Sequence, residues 1–263
     1  MESKNKSLSI SIVVYKEYND VIECIDSIEK YTNKNISKII YIVDNTPPNS
    51  SGIESFKQYI KKYTDVVYIK SSKNLGFGKG HNLVLPFLTT NYHAIVNPDV
   101  IIQEDVLFNI INYMNNNHSI GMVVPKITDI KGNFLHVYRK YPTVFDMFIR
   151  MFCRNFFKKR QANHSLMDND FTKPFNVPFA QGSFFVVRTE LLNKLQGFDE
   201  RFFMYLEDVD LCRRINKFSK IMYYPYSTVI HKWKKGSHKN IKLFRIHLVS
   251  MIVYFNKWGW DLF

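Results

Sequence analysis

Four runs of apolar, largely β-branched residues alternate with helix-like stretches across the first hundred residues, and that alternation restricts the chain to few folds. The first run, Leu8 to Tyr15, is followed by Asp20-Val21-Ile22-Glu23, which has the acidic spacing of a capping box and opens a helix through about Lys30. Ile39 to Val43 is the second run; Asp44-Asn45-Thr46-Pro47-Pro48 breaks it, and a helix follows from about Gly52 to Lys61. Val66 to Ile69 is the third. After the loop Ser71 to Gly76, a helix from about Gly78 to Phe87 leads into the fourth, Tyr92 to Val96. A β-α-β-α-β-α-β order predicts an α/β fold with a parallel sheet covered by helices, whose ligands bind beyond the carboxyl ends of the strands. Tyr15, Asp44, Lys73 and Asp99 all fall at those ends.

The second half is less regular. Ile120 to Val124 reads as a strand, Ala180 to Arg188 resumes strand character, and Glu207 to Lys217 is helical. Arg139 to Asn176 mixes aromatic and basic residues without a clean period and reads as a mobile or surface-docking insert. No internal repeat, low-complexity tract or Gly/Ser linker interrupts the chain, so one continuous domain over residues 1–263 is expected.

With 263 residues and 46% hydrophobic content the chain can bury a full core. Its formal net charge of +13 predicts an anionic partner: nucleotide phosphates, anionic lipid headgroups or nucleic acid. Cys24, Cys153 and Cys212 are scattered, with no paired spacing for a disulfide framework or a zinc site, which fits a reducing cytoplasm. The N-terminal region has no small-residue cleavage site after its short apolar run, and no stretch reaches the ~18 apolar residues of a spanning helix. Neither export by a signal peptide nor passage through a bilayer is expected.

Two carboxylate motifs carry the chemistry. Asn97-Pro98-Asp99 sets an acid just past an apolar strand, where a metal diphosphate has room to sit; alone, it also reads as a turn with Asp99 capping the next helix. Glu207-Asp208-Val209-Asp210 opens a helix whose dipole favours acids. On a 3.6-residue period Asp208 shares a face with Leu211, Cys212 and Ile215 and points inward, while Asp210 is spaced to pair with Arg213 or Arg214. Lys73-Asn74-Leu75-Gly76-Phe77-Gly78-Lys79-Gly80 lets a backbone approach phosphate, but lacks the ending of a P-loop. In the tail, Lys232, Lys234, Lys235, Lys239, Lys242 and Arg245 precede Leu248 to Phe255, Trp258 and Trp260. That pattern suits either a helix lying on an anionic membrane surface or one packed on the domain.

Taken in order, these pieces resemble the family 2 glycosyltransferases with the GT-A fold, particularly the rhamnosyltransferase-like branch that builds bacterial surface polysaccharides. The residues that carry the resemblance begin with Ile10-Ser11-Ile12-Val13-Val14-Tyr15, Val43-Asp44-Asn45, Asn74-Leu75-Gly76-Phe77-Gly78 and Asn82. They continue with Asn97-Pro98-Asp99, Gly182-Ser183, the run from Gly197-Phe198-Asp199 through Glu207-Asp208 to Arg213-Arg214, and His231. The first strand departs from the pattern, since relatives carry a small hydroxyl residue nearer its end.

The resemblance implies a Rossmann-like central sheet flanked by helices, with residues 1–100 binding a nucleotide-sugar donor, 101–230 holding the acceptor and the catalyst, and 231–263 forming a basic, aromatic tail. It implies that Asp99, the second acid of an Asp-x-Asp variant whose first position is Asn97, ligates Mg²⁺ or Mn²⁺ on the donor diphosphate, with His231 as a late metal contact. Asp44 would face the donor's base or ribose, and Val14, Tyr15, Lys73, Asn74, Gly76 and Asn82 would complete the donor side. Gly182, Ser183 and Glu207 would meet the acceptor, a glycan or a polyprenyl-diphosphate-linked glycan. Asp208 would act as general base in an inverting transfer. The expected place is the cytoplasm, with peripheral contact to an anionic membrane through the tail. A nucleotidyltransferase would lack a use for the Glu207-Asp208 helix, and a nucleic-acid-binding protein would leave Asp99 and Asp208 unexplained, so no nucleic acid partner is expected.

Overall fold

The computed structural model describes residues 6–153, 155–233 and 241–263. The four apolar runs form β1 (Ser7–Val14), β2 (Ser37–Asp44), β3 (Val66–Lys70) and β4 (Tyr92–Val96), separated by α1 (Tyr18–Tyr31), α2 (Ile53–Ile60) and α3 (Gly78–Asn82). Then follow β5 (Val100–Ile102), α4 (Val106–Asn115), β6 (Ile120–Thr128), β7 (Tyr138–Arg139), α5 (Val144–Phe152), α6 (Lys158–His164), β8 (Phe175–Asn176) and β9 (Phe179–Ala180). β10 (Phe184–Arg188), α7 (Thr189–Lys194), α8 (Glu207–Ile215), β11 (Lys220–His231) and α9 (Ile241–Trp258) complete the order.

One nine-stranded sheet runs β3-β2-β1-β4-β10-β6-β11-β5, with β8 paired to β11; β7 and β9 form a separate pair. β1, β2, β3 and β4 are mutually parallel, as the alternation predicts. β10 then enters antiparallel to both β4 and β6, and β11 lies parallel to β6 but antiparallel to β5. This reversal positions the site. Because Phe184 faces Val96 across an antiparallel pair, the start of β10 lies beside the carboxyl end of β4. His231 pairs with Val100, which brings the end of β11 to the same edge. All five residues of β4 are buried, as a strand covered on both faces requires.

Local departures from expectation have physical causes. α1 begins at Tyr18, ahead of Asp20, and its start carries no side-chain cap; Asp20 instead accepts from the Lys232 ammonium at 3.1 Å. α3 stops at Asn82 and a 3₁₀ turn, Leu85–Phe87, replaces its expected continuation, since Pro86 has no N–H and its ring would meet the carbonyl one turn back. The insert from Arg139 to Asn176 folds into β7, α5, α6 and β8. α5 carries a complete capping box: the Asp146 amide donates to the Thr143 hydroxyl, and the Asp146 carboxylate accepts from the Thr143 amide. Among the described residues no helix is long and apolar enough to cross a membrane. Lys234, Lys235 and Lys239 of the basic tail lie outside the described residues.

Candidate active site

At the shared edge of β4, β10 and β11, backbone pairing joins the two carboxylate motifs. The Asn97 amide donates to the Ser183 carbonyl at 2.8 Å, and the next amide along, Gly182, donates to Asp208 Oδ2 at 3.0 Å. On the other side Asp99 Oδ1 lies 3.1 Å from His231 Nε2, and the Lys232 amide donates to the Asp99 carbonyl at 3.0 Å. Asp99 and His231, 132 residues apart in sequence, thus meet because β11 returns beside β5.

A divalent cation fits that pair. Two ligands 3.1 Å apart match neighbouring positions around a six-coordinate ion with bonds of about 2.1 Å, where adjacent ligands stand about 3.0 Å apart. His231 Nδ1 is buried and has no hydrogen-bond partner, so among the described residues the ring's one polar contact is the Asp99 carboxylate at Nε2, which without a cation favours the proton on that nitrogen. No cluster of three or more His, Cys, Asp or Glu suited to a metal occurs among the described residues, so the remaining ligands would come from donor phosphates and water.

The start of α8 is built under strain. Tyr205 and Leu206 are consecutive non-glycine residues with positive φ, 74° and 65°, a conformation that costs energy and persists where surrounding packing imposes it. The turn aims Asp208 at Gly182. A Cβ on Gly182 would lie 3.2 Å from Asp208 Cβ and 3.3 Å from the Phe77 ring, so glycine there admits the helix to the sheet edge. Asp208 is half-buried and lines a cavity of about 200 Å³ together with Arg139, Arg150, His164, Tyr205 and His247. Burial raises the Asp208 carboxyl above its usual range; the Gly182 and Val209 amides, then the Arg150 and Arg139 charges, oppose the rise. Glu207, only 5% exposed, is pushed well above the carboxylate range by burial and then by the charge of Asp208.

Inwardness along this helix differs from the expected pattern. Asp210, not Asp208, is the fully buried acid. Its Oδ2 accepts from Arg214 Nε at 2.8 Å, as the i,i+4 spacing predicts, while its Oδ1 receives Lys257 Nζ at 2.6 Å and Trp258 Nε1 at 2.9 Å from α9. Arg213 instead donates to the Tyr254 hydroxyl at 3.0 Å.

Several residues expected on the donor and acceptor sides are buried or already hydrogen-bonded within the protein. The Asp44 carboxylate is fully enclosed: Oδ2 accepts from Tyr18 at 2.9 Å and Tyr68 at 2.5 Å, Oδ1 accepts from the Thr46 amide at 2.8 Å, and no face is left for a ribose. The Val14 side chain is likewise sealed, and its carbonyl accepts from the Asn45 amide at 2.9 Å, whereas Tyr15 beside it is 44% exposed. Asn82 clamps Phe198, its Nδ2 donating to the Phe198 carbonyl and its Oδ1 accepting from the Phe198 amide, both at 2.8 Å. The Gly76 amide donates to Asn74 Oδ1 at 2.9 Å and the Phe77 amide to the Phe203 carbonyl at 3.0 Å, so these two amides are used within the protein. Lys73 is exposed beside it. Ser183 is 1% exposed and Glu207 is buried, and the hydrogen bonds of Ser183 to Asn97 and of Gly182 to Asp208 are made by backbone groups.

Sequence reading missed the cavity-lining Arg139, Arg150, His164, Tyr205 and His247. For Arg139, Arg150 and His164 the basic and aromatic content of the insert was the signal, but without a period it named no face; Tyr205 stood within the run leading to Glu207-Asp208, and His247 lay in the tail with no pattern of its own.

A model of the family described as glycosyl transferase family 2 matches residues 9–196. The chain is 30% identical over 212 residues to the rhamnosyltransferase WbbL of Escherichia coli (strain K12), spanning 75% of this chain and 76% of that protein. It is 24% identical over 186 residues to an N-acetylglucosaminyl-diphospho-decaprenol L-rhamnosyltransferase of Mycobacterium tuberculosis, covering 65% and 60% of the two chains. Among solved structures, GalNAc-T7 with UDP, GalNAc and Mn²⁺ superposes with a TM-score of 0.67 at 14% identity, covering 88% of this chain and 44% of that one. The mannosyltransferase PcManGT of Pyrobaculum calidifontis, with GDP-Man and Mn²⁺, superposes at 0.65, also at 14% identity, covering 95% and 64%. This chain spans less than two thirds of either solved structure, and at such identity the likeness establishes the GT-A fold alone.

Proposed function

The chain belongs to glycosyl transferase family 2 and is a glycosyltransferase, and from that premise we propose an inverting, metal-dependent hexosyl- or deoxyhexosyltransferase that works from a nucleotide-diphosphate sugar. The acceptor is a hydroxyl of a glycan or of a polyprenyl-diphosphate-linked glycan in surface polysaccharide synthesis, in line with the rhamnosyltransferases it resembles. One observation carries the reading: Asp208 stands at a cavity and is tied through Gly182, Ser183 and Asn97 to the Asp99–His231 pair. On this reading the base and the diphosphate site share one hydrogen-bonded framework.

Asp208 accepts the acceptor's hydroxyl proton as that oxygen bonds to the anomeric carbon and the bond from that carbon to the diphosphate oxygen breaks. The Gly182 and Val209 amides hold its two oxygens, at 3.0 and 2.8 Å, and so orient the carboxylate. A divalent cation held by Asp99 and His231 would supply charge neutralisation for the departing diphosphate. Burial and then the Asp208 charge push the Glu207 carboxyl well above its usual range, which favours Asp208 as the proton acceptor of the pair.

Nucleoside diphosphate release from a panel of nucleotide sugars, with Mg²⁺ or Mn²⁺ and with an acceptor glycan, tests the reading. Release from one donor that needs the metal and is lost in Asp99→Ala is the expected result. Retained anomeric configuration in the product overturns the inverting mechanism.

A further inference from the structure

α5 has two faces of different chemistry. Asp146, Met147, Ile149 and Arg150 line the cavity beside Asp208, whereas Phe148 and Phe152 stand outward, 46% and 62% exposed. These rings are part of a continuous chain of aromatics. Phe148 lies 5.4 Å from Phe152, and Phe152 lies 6.4 Å from Phe244 of α9; Phe145 meets Phe148, Phe157 and Phe263 at 6.4, 5.2 and 5.4 Å. On α9, Ile241, Phe244, Leu248 and Ile252 recur at helical spacing and are all exposed. The backbone beneath the patch is anchored, because the Val144 and Phe145 amides donate to the Asp261 and Leu262 carbonyls at 2.9 and 3.1 Å. Leu262 and Phe263 nonetheless remain 60% and 80% exposed. Single exposed apolar residues are ordinary; a connected aromatic face of this kind marks an interaction surface.

Exposed cations occupy the same segments: Lys158 and Lys159 on α6 and Arg245 on α9. A second copy of the chain would bring the same basic groups against one another, in a protein whose formal net charge is already +13. An anionic lipid surface complements both features. We propose that the face formed by α5, the start of α6 and α9 docks on an anionic phospholipid bilayer, with its aromatic rings at the headgroup–acyl boundary and its lysines and arginines on lipid phosphates. Docking sets the cavity of Asp208 beside the membrane, because the same helix forms the cavity wall. That use rests on the glycosyl-transfer reading above; the docking does not.

Flotation of the full chain with phosphatidylglycerol-containing and pure phosphatidylcholine vesicles, without donor, tests the proposal. The expected result is binding to the anionic vesicles at low ionic strength, weakened by salt. Phe148→Ser/Phe152→Ser should lose binding by about tenfold or more, and Lys158→Glu/Lys159→Glu should abolish the preference for anionic lipid. Both variants alter exposed positions and should keep the wild-type melting temperature and donor-dependent nucleoside diphosphate release. Failure to float with anionic vesicles overturns the proposal, as does undiminished binding by the phenylalanine variant, or dimerisation by light scattering that the same variant abolishes. Vesicle binding in a protein that releases no nucleoside diphosphate would sustain the docking and sink the transfer reading.

Discussion

Asp208 and the buried histidines make the sharpest predictions at the scale of single residues. Asp208→Asn keeps the size of the side chain but removes its basicity, so transfer should fall by about 10²–10⁴-fold while donor binding by calorimetry is retained. Since burial lifts the Asp208 carboxyl, the acid limb of kcat/KM should lie above the ordinary carboxylate range. Arg150→Gln removes a charge that lowers this group and should move the limb to higher pH; an unmoved limb would deny the coupling. Beneath the site, Ser9, His93, Ser11 and His81 form a buried hydrogen-bonded row at 2.7, 2.9 and 2.7 Å. Burial holds His93 down to about 3 and His81 well below its usual value, so both fold neutral. Their contribution to stability is complete above the unfolded pKa near 6.5 and is lost as pH falls below it, by up to about 1.4 kcal/mol per pH unit for each. Urea midpoints at pH 7 and pH 5 should show this loss, and His93→Gln should flatten it. At this scale Asp99 and Asp208 could be singled out because their motifs are local and His231 only through the resemblance, while the meeting of Asp99 with His231 could not be read. The enclosure of Asp44 was not, since Tyr18 and Tyr68 reach it from separate elements.

Elements here are joined by a few tight crossings. Gly76 has φ +80°, and a Cβ there would stand 1.9 Å from the Phe203 carbonyl oxygen, so glycine at this position admits the lead-in to α8. Gly76→Ala should therefore destabilise the fold and slow transfer together. Asn82→Ala strands the Phe198 amide and carbonyl and should cost about 1–3 kcal/mol in denaturant unfolding, with donor affinity unchanged if the residue is only a clamp. A drop in donor affinity without loss of stability would restore Asn82 to the donor site. β1 to β4, α1 and α2 were readable from hydrophobic period together with capping and turn residues, whereas β5 and α4 were not read at all. The truncation of α3 was written in Pro86, but the two-residue strands β7, β8 and β9 are too short to carry a period.

Across the whole molecule, the sheet's change of direction at β10 makes the site, and no local pattern in Phe184–Arg188 announces which neighbours it takes. Register between segments about ninety residues apart is decided by the packed core, which is why the Asn97–Ser183 link escaped the sequence. The closing helix was likewise ambiguous between packing and exposure, and it does both: Tyr254 and Phe255 are buried while Leu248 and Ile252 are not. Lys257→Met removes one partner of the buried Asp210 and should destabilise the protein by about 1–3 kcal/mol, with transfer falling as α8 loosens. An unchanged urea midpoint would show that Arg214 and Trp258 suffice. The same contact orders events during synthesis. Asp208 leaves the ribosome long before Lys257 and Trp258, yet Asp210 two residues further on lacks those two partners until they emerge. A nascent chain therefore carries α8 with the buried Asp210 carboxylate short of two of its partners until α9 has emerged.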